Sequence, residues 1–71
     1  MDARWERVME TGNVQAHVAA VHGYALTVIG GNEDWGWSVR GPRCSAQGME
    51  QTLITAMQMA DDVARRMAER T

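Results

Sequence analysis

Few residues of this chain have the types and spacing that catalysis or metal binding demands. The classical soft or borderline metal ligands are His17, His22 and Cys44. The histidines are five apart, which on a strand sets them on opposite faces, and Cys44 lies far along the chain. That is unlike the close ligand pairs of a zinc site. Arg43 and Ser45 flank Cys44, and a neighbouring cation favours a thiolate. The plainer expectation is an ordinary loop cysteine. Asp61 and Asp62 are adjacent, so on a helix they diverge by about 100° and read as a solvated face, not a paired acid and base. Gly30-Gly31 lacks the spacing and the following helix of a phosphate loop. A chain of 71 residues is also small for a pocket that buries a substrate. The expectation is therefore a non-enzyme with no cofactor and no metal.

Composition narrows the remaining classes. A single domain of this length buries only about 60% of the surface its unfolded chain exposes, and such domains often add a disulfide, a metal or a partner subunit. One cysteine excludes an internal disulfide, so self-association is a natural way to gain stability. The first residues, Met1-Asp2-Ala3-Arg4-Trp5-Glu6-Arg7, are charged with no apolar run behind them, unlike a signal peptide. No stretch reaches the ~20 apolar residues of a membrane helix. A lone thiol without an export signal suits a reducing cytoplasm. The formal net charge is −2, and all seven basic residues are arginine. Mild acidity argues against non-specific nucleic-acid binding, which draws its affinity from neutralised phosphates.

The elements that must position any site divide into a strand-like part and a helix-like last third. Val14, Ala16, Val18 and Ala20 alternate with Gln15, His17 and Ala19, as a half-buried strand does. His22-Gly23 supplies a tight turn. Tyr24, Leu26 and Val28 then alternate with Ala25, Thr27 and Ile29, and Gly30-Gly31-Asn32-Glu33-Asp34 is the strongest turn signal. Trp35, Trp37 and Val39 alternate with Gly36, Ser38 and Arg40. A further strand around Trp5 to Met9 would join through Glu10-Thr11-Gly12-Asn13. Gly41-Pro42 closes the sheet region, and a loop runs to about Gly48. A helix follows from Met49 or Thr52 to about Arg70, with Leu53, Ala56, Met57, Ala60, Val63, Ala64 and Met67 as its apolar stripe. Glu50 sits at its start and Arg65, Arg66 and Arg70 at its end, as the helix dipole favours. The expected fold is α+β: a three- or four-stranded antiparallel meander under one C-terminal helix, in two layers and one domain.

One helix covers one sheet face. The expected core face carries Val18, Leu26, Val28, Trp37 and Val39. The opposite face would carry Gln15, His17, Ala19, Ala25, Thr27, Ile29, Gly36, Ser38 and Arg40, and is open to solvent or a partner. The expected contact residues for self-association or a protein partner are Trp35, Ile54, Met59, Thr27 and Ser38. Trp35 shares a strand face with Trp37 and Val39, which reads as core; the alternative is that it stands half-exposed at the sheet's end as an anchor. Met59 and Ile54 fall off the helix stripe and together offer a small apolar patch. The alternative is a sequence-specific DNA- or RNA-binding module that reads with Gln15, His17, Arg40 and Arg43.

Trp5, Gly23-Tyr24, Leu26, Val28, Trp35, Trp37, Val39 and Gly48, followed by a helix with Ala56, Ala60 and Ala64, resemble small uncharacterised proteins of proteobacteria and their prophages. That group shares a Gly-Tyr hairpin, a Trp-x-Trp strand and an alanine-rich C-terminal helix, and the resemblance implies no particular activity. The strand-strand-strand-helix order is also similar to plant ethylene-response-type DNA-binding domains and to the arm-binding domains of tyrosine recombinases. That resemblance implies DNA contact through the face turned away from the helix. Those domains are basic, and this chain is acidic.

Overall fold

The computed structural model describes residues 4–70. Five strands precede one helix: β1 (Glu6–Thr11), β2 (Val14–Val21), β3 (Tyr24–Gly31), β4 (Asp34–Arg40), β5 (Ser45–Glu50) and α1 (Leu53–Glu69). The strands pair antiparallel in chain order, an open meander with β1 and β5 at its edges. The strand expected near residues 5–9 therefore forms, as β1. The expectation of three or four strands is corrected to five, because residues 45–50 form a strand and not a loop.

Two-residue turns set the register. Val21 pairs with Tyr24 across His22-Gly23, and both turn residues have positive φ, 52° and 84°. That conformation matches the right-handed twist of the strands it joins. The strongest turn signal is shorter than its glycines suggest: Gly31 pairs with Asp34, leaving Asn32-Glu33 to turn, with Asn32 at φ 55°. Gly30 and Gly31 are strand residues.

β5 has none of the branched or aromatic residues that favour strands. Pairing with β4 makes it a strand, and the residue at its centre on the helix side is a glycine because a tryptophan lies over it. Gly48 pairs with Trp37. A Cβ added at Gly48 would come within 2.7 Å of the Trp37 indole. The glycine is a seat for the ring.

α1 starts at Thr52, whose side-chain oxygen accepts from the Thr55 backbone N–H at 3.1 Å. Such a cap contributes about 1 kcal/mol. Glu50, expected at the helix start, is the last residue of β5, and the first helical turn contains no acidic residue. The Trp37 indole N–H instead donates to the Glu50 carboxylate at 3.4 Å. Asp61 pairs with Arg65 and Asp62 with Arg66, each one helical turn apart.

The core lies between α1 and one sheet face. Leu26, Val28 and Val39 are fully buried, with Val21, Tyr24, Trp35 and Trp37 around them. Ala56, Ala60 and Ala64 face them and are fully buried, so the helix backbone comes close to the sheet. Leu53, Met57, Val63 and Met67 flank that alanine line. The helix packs on β3 and β4, reaches β5 and only grazes β2. All six residues of β1 are exposed.

Candidate binding surface

The register places each strand residue on one of two faces. Antiparallel partners point the same way, so the pairs Val21–Tyr24, Ala19–Leu26 and His17–Val28 put the odd-numbered residues of β2 on the helix side with the buried residues of β3. This corrects the expected phase of β2. Gln15, His17 and Ala19 share the helix side, and Val18 belongs to the opposite face with Val14, Ala16 and Ala20. The cause is the turn: with two residues between Val21 and Tyr24, Leu26 meets Ala19 and not Val18.

Gln15 and His17 sit where the helix does not reach. The Gln15 amide donates to the Glu10 carboxylate at 3.1 Å, Arg7 donates to the same oxygen at 3.3 Å, and the His17 Nε2 lies 3.2 Å from the Gln15 amide oxygen. The His17 ring is tilted against Trp35, centroids 6.4 Å apart. The two expected nucleic-acid readers of β2 are therefore tied into a side-chain network on the wrong face. Arg40 is exposed on the helix-free face, and Arg43 is exposed in the turn between β4 and β5. The four do not converge.

The protein-contact candidates also separate. Thr27 and Ser38 are cross-strand partners at the middle of the helix-free face. Ile54, 68% exposed, and Met59 lie on the outer side of α1. Five residues apart, they are separated by about 140° around the helix, so they form no common patch. Trp35 is no anchor. It is buried, and its indole N–H donates to the Asn32 carbonyl at 3.1 Å. The half-exposed reading fails because Trp35 lies on the helix side, beside His17 and Glu50, where β2 and β5 close round it.

The helix-free face has an apolar row that the sequence reading did not assemble. Met9, Ala16, Ile29, Gly36 and Met49 are successive cross-strand neighbours across all five strands. Ile29 is 48% exposed and Met49 66%, with Met9 and Val14 also exposed. Beside this row runs a more polar one: Glu6, Val18, Thr27, Ser38 and Gln47. Between Ile29 and Met49 the surface sinks over Gly36 into a shallow hollow of about 440 Å³, also lined by Thr27, Ser38 and Gln47. The signal that could have found most of this row is the two-residue turn at each of the first three hairpins, which fixes which residues are neighbours from β1 to β4.

Among the described residues, no group of three His, Cys, Asp or Glu side chains could hold a metal ion. Cys44 is exposed and outside any disulfide. It lies beside Tyr24, whose phenol is held above its ordinary range first by burial and then by the Cys44 thiol. Among the described residues no helix is long and apolar enough to cross a membrane.

Compared with models of known protein families, with curated proteins and with solved structures, the chain matches none.

Proposed function

We propose that this chain is a small non-catalytic interaction protein that works through the helix-free face of its sheet. The observation that carries the reading is the apolar row Met9–Ala16–Ile29–Gly36–Met49, of which Met9, Ile29 and Met49 are exposed. Contiguous exposed apolar surface on a small domain marks a contact site more often than a solvated face. The row combines projecting side chains with a hollow, which suits close approach by another apolar surface. Thr27 and Ser38 border it with hydroxyls that can satisfy a partner's polar groups. The exposed thiol of Cys44 suits a reducing compartment, the cytoplasm.

Reading of DNA or RNA by this face has less support. Arg40 is the one basic residue that the strand register places there, and Glu6 shares the surface. A sheet that reads a groove needs several cationic or amide side chains on one face.

In-cell photocrosslinking tests the proposal. A benzophenone amino acid in place of Met49 should give discrete covalent adducts in cells that express the chain natively. The same group in place of Gln58, exposed on the outer side of α1, should give none. Absence of any adduct from the Met49 position would refute the proposal.

A further inference from the structure

The geometry points to a second copy of this chain as the occupant of that face, packed sheet on sheet about a two-fold axis. The inference rests on the reading of the helix-free face as the binding surface.

Residue size alternates along the apolar row. Met9, Ile29 and Met49 project, and Ala16 and Gly36 are the gaps between them. Ala16 is only 6% exposed, sunk between its neighbours, and the hollow lies over Gly36. Large and small residues thus alternate strand by strand, at a spacing of about 4.8 Å. A two-fold axis along the strand direction, midway between β3 and β4, lays β3 of each copy on β4 of the other and β2 on β5. Both projections inside the overlap then meet a gap. Ile29 of each copy enters the hollow over Gly36 of the other, and Met49 meets Ala16. In the next row Thr27 meets Ser38. An isologous interface needs this self-complementarity of one patch, and sheets packed face to face interdigitate in this way at about 10 Å.

Area sets the expected strength. Four overlapping strands, each about 20 Å long, give roughly 400 Å² of flat footprint per copy. The relief of Ile29 and Met49 brings the accessible area removed from both copies to the ~1,000 Å² at which specific interfaces begin. The dimer should therefore be reversible, with a dissociation constant on the order of micromolar. β1 overhangs the overlap, so Met9 should contribute little.

Sedimentation equilibrium on the reduced, intact chain from about 1 µM to 1 mM tests this. The wild type should pass from monomer to dimer in that range. Ile29→Asp removes the projection. Gly36→Val raises the floor of the hollow where Ile29 of the other copy would enter; inside 3.4 Å the added Cβ meets the flexible Met49 sulfur alone, at 3.2 Å. Each substitution counts twice in a two-fold dimer and should weaken it by more than ~100-fold. Met9→Asp should change it by less than ~3-fold. Tryptophan fluorescence and circular dichroism identify any variant that fails to fold, and only folded variants are scored. A wild-type dimer that survives both Ile29→Asp and Gly36→Val overturns the inference. So does a wild type that stays monomeric throughout. Photocrosslinking separates the two levels of the argument: a monomer whose Met49 position captures a different protein overturns the second copy and leaves the surface reading standing. A monomer that captures nothing ends both.

Discussion

Replacing Gly48 with alanine should destabilise the domain, although the backbone there is ordinary strand. A Cβ at this position would lie within 2.7–2.8 Å of three indole atoms of Trp37, closer than carbon atoms approach without displacement. The ring is buried between α1 and the sheet and donates to Glu50, so it cannot swing away without opening the core. Overpacking of this kind costs about 1–3 kcal/mol. Two gains oppose it: alanine restricts the unfolded chain, worth about 0.4–1 kcal/mol where its conformation is unstrained, and the added methyl buries some apolar surface. The steric cost wins, for a net loss of about 1–2 kcal/mol. For a domain of this size that lowers the melting midpoint by about 4–16 °C. Urea denaturation followed by tryptophan fluorescence reads the change, with Gly36→Ala as the matched control. At Gly36 the one tight contact of the new Cβ is the movable Met49 sulfur at 3.2 Å, with the Ile29 and Gly48 carbonyls at ordinary distances of 3.7 and 3.9 Å, so the control should be neutral or mildly stabilising. If Gly48→Ala proves as stable as Gly36→Ala, Trp37 does not rest on Gly48, and β5 as the fifth strand of this sheet is wrong.

Two further predictions concern the turn between β2 and β3. His22 adopts a left-handed backbone that asparagine takes more readily, so His22→Asn should stabilise the domain by about 0.5 kcal/mol in the same urea assay. Tyr24 governs behaviour at high pH. Its phenol is raised above the ordinary value by burial and then by Cys44, so the unfolded chain loses this proton before the folded chain does. The stabilisation is fully present below about pH 10 and is lost as pH rises from there through the folded value. Urea midpoints measured from about pH 8 to 11 should fall at the alkaline end in the wild type and fall less in Tyr24→Phe.

Local pattern was enough for much of the architecture. The apolar offsets of three and four placed α1, because a helix repeats its faces whatever packs on it. Tyr24, Leu26 and Val28, like Trp35, Trp37 and Val39, alternate in their own strands, and the face they share follows from that period. Of the two helix starts expected, Met49 and Thr52, the structure has the second, since Met49 lies in β5; the strand near Glu6 was legible from the turn after it more than from its poorer alternation. The candidate site was legible only in pieces. Thr27, Ile29, Gly36, Ser38 and Arg40 lie on the helix-free face as expected.

Residue order within each segment is therefore enough for the local periods: strands, then one amphipathic helix. Three features were decided by tertiary structure. β5 exists because β4 offers it a hydrogen-bonding edge and Trp37 needs a small residue beneath its ring, and neither reason lies in the segment Ser45–Glu50 itself. The phase of β2 depends on pairing. Its residues alternate equally well either way, and only the two-residue turn at His22-Gly23 assigns Val18 to one face and His17 to the other. The burial of Trp35 depends on what surrounds it, since a strand period says which face a residue takes and not whether that face is covered there. A one-residue slip exchanges every side chain between the two faces of a sheet, so the make-up of the helix-free face belongs to the register rather than to any single strand.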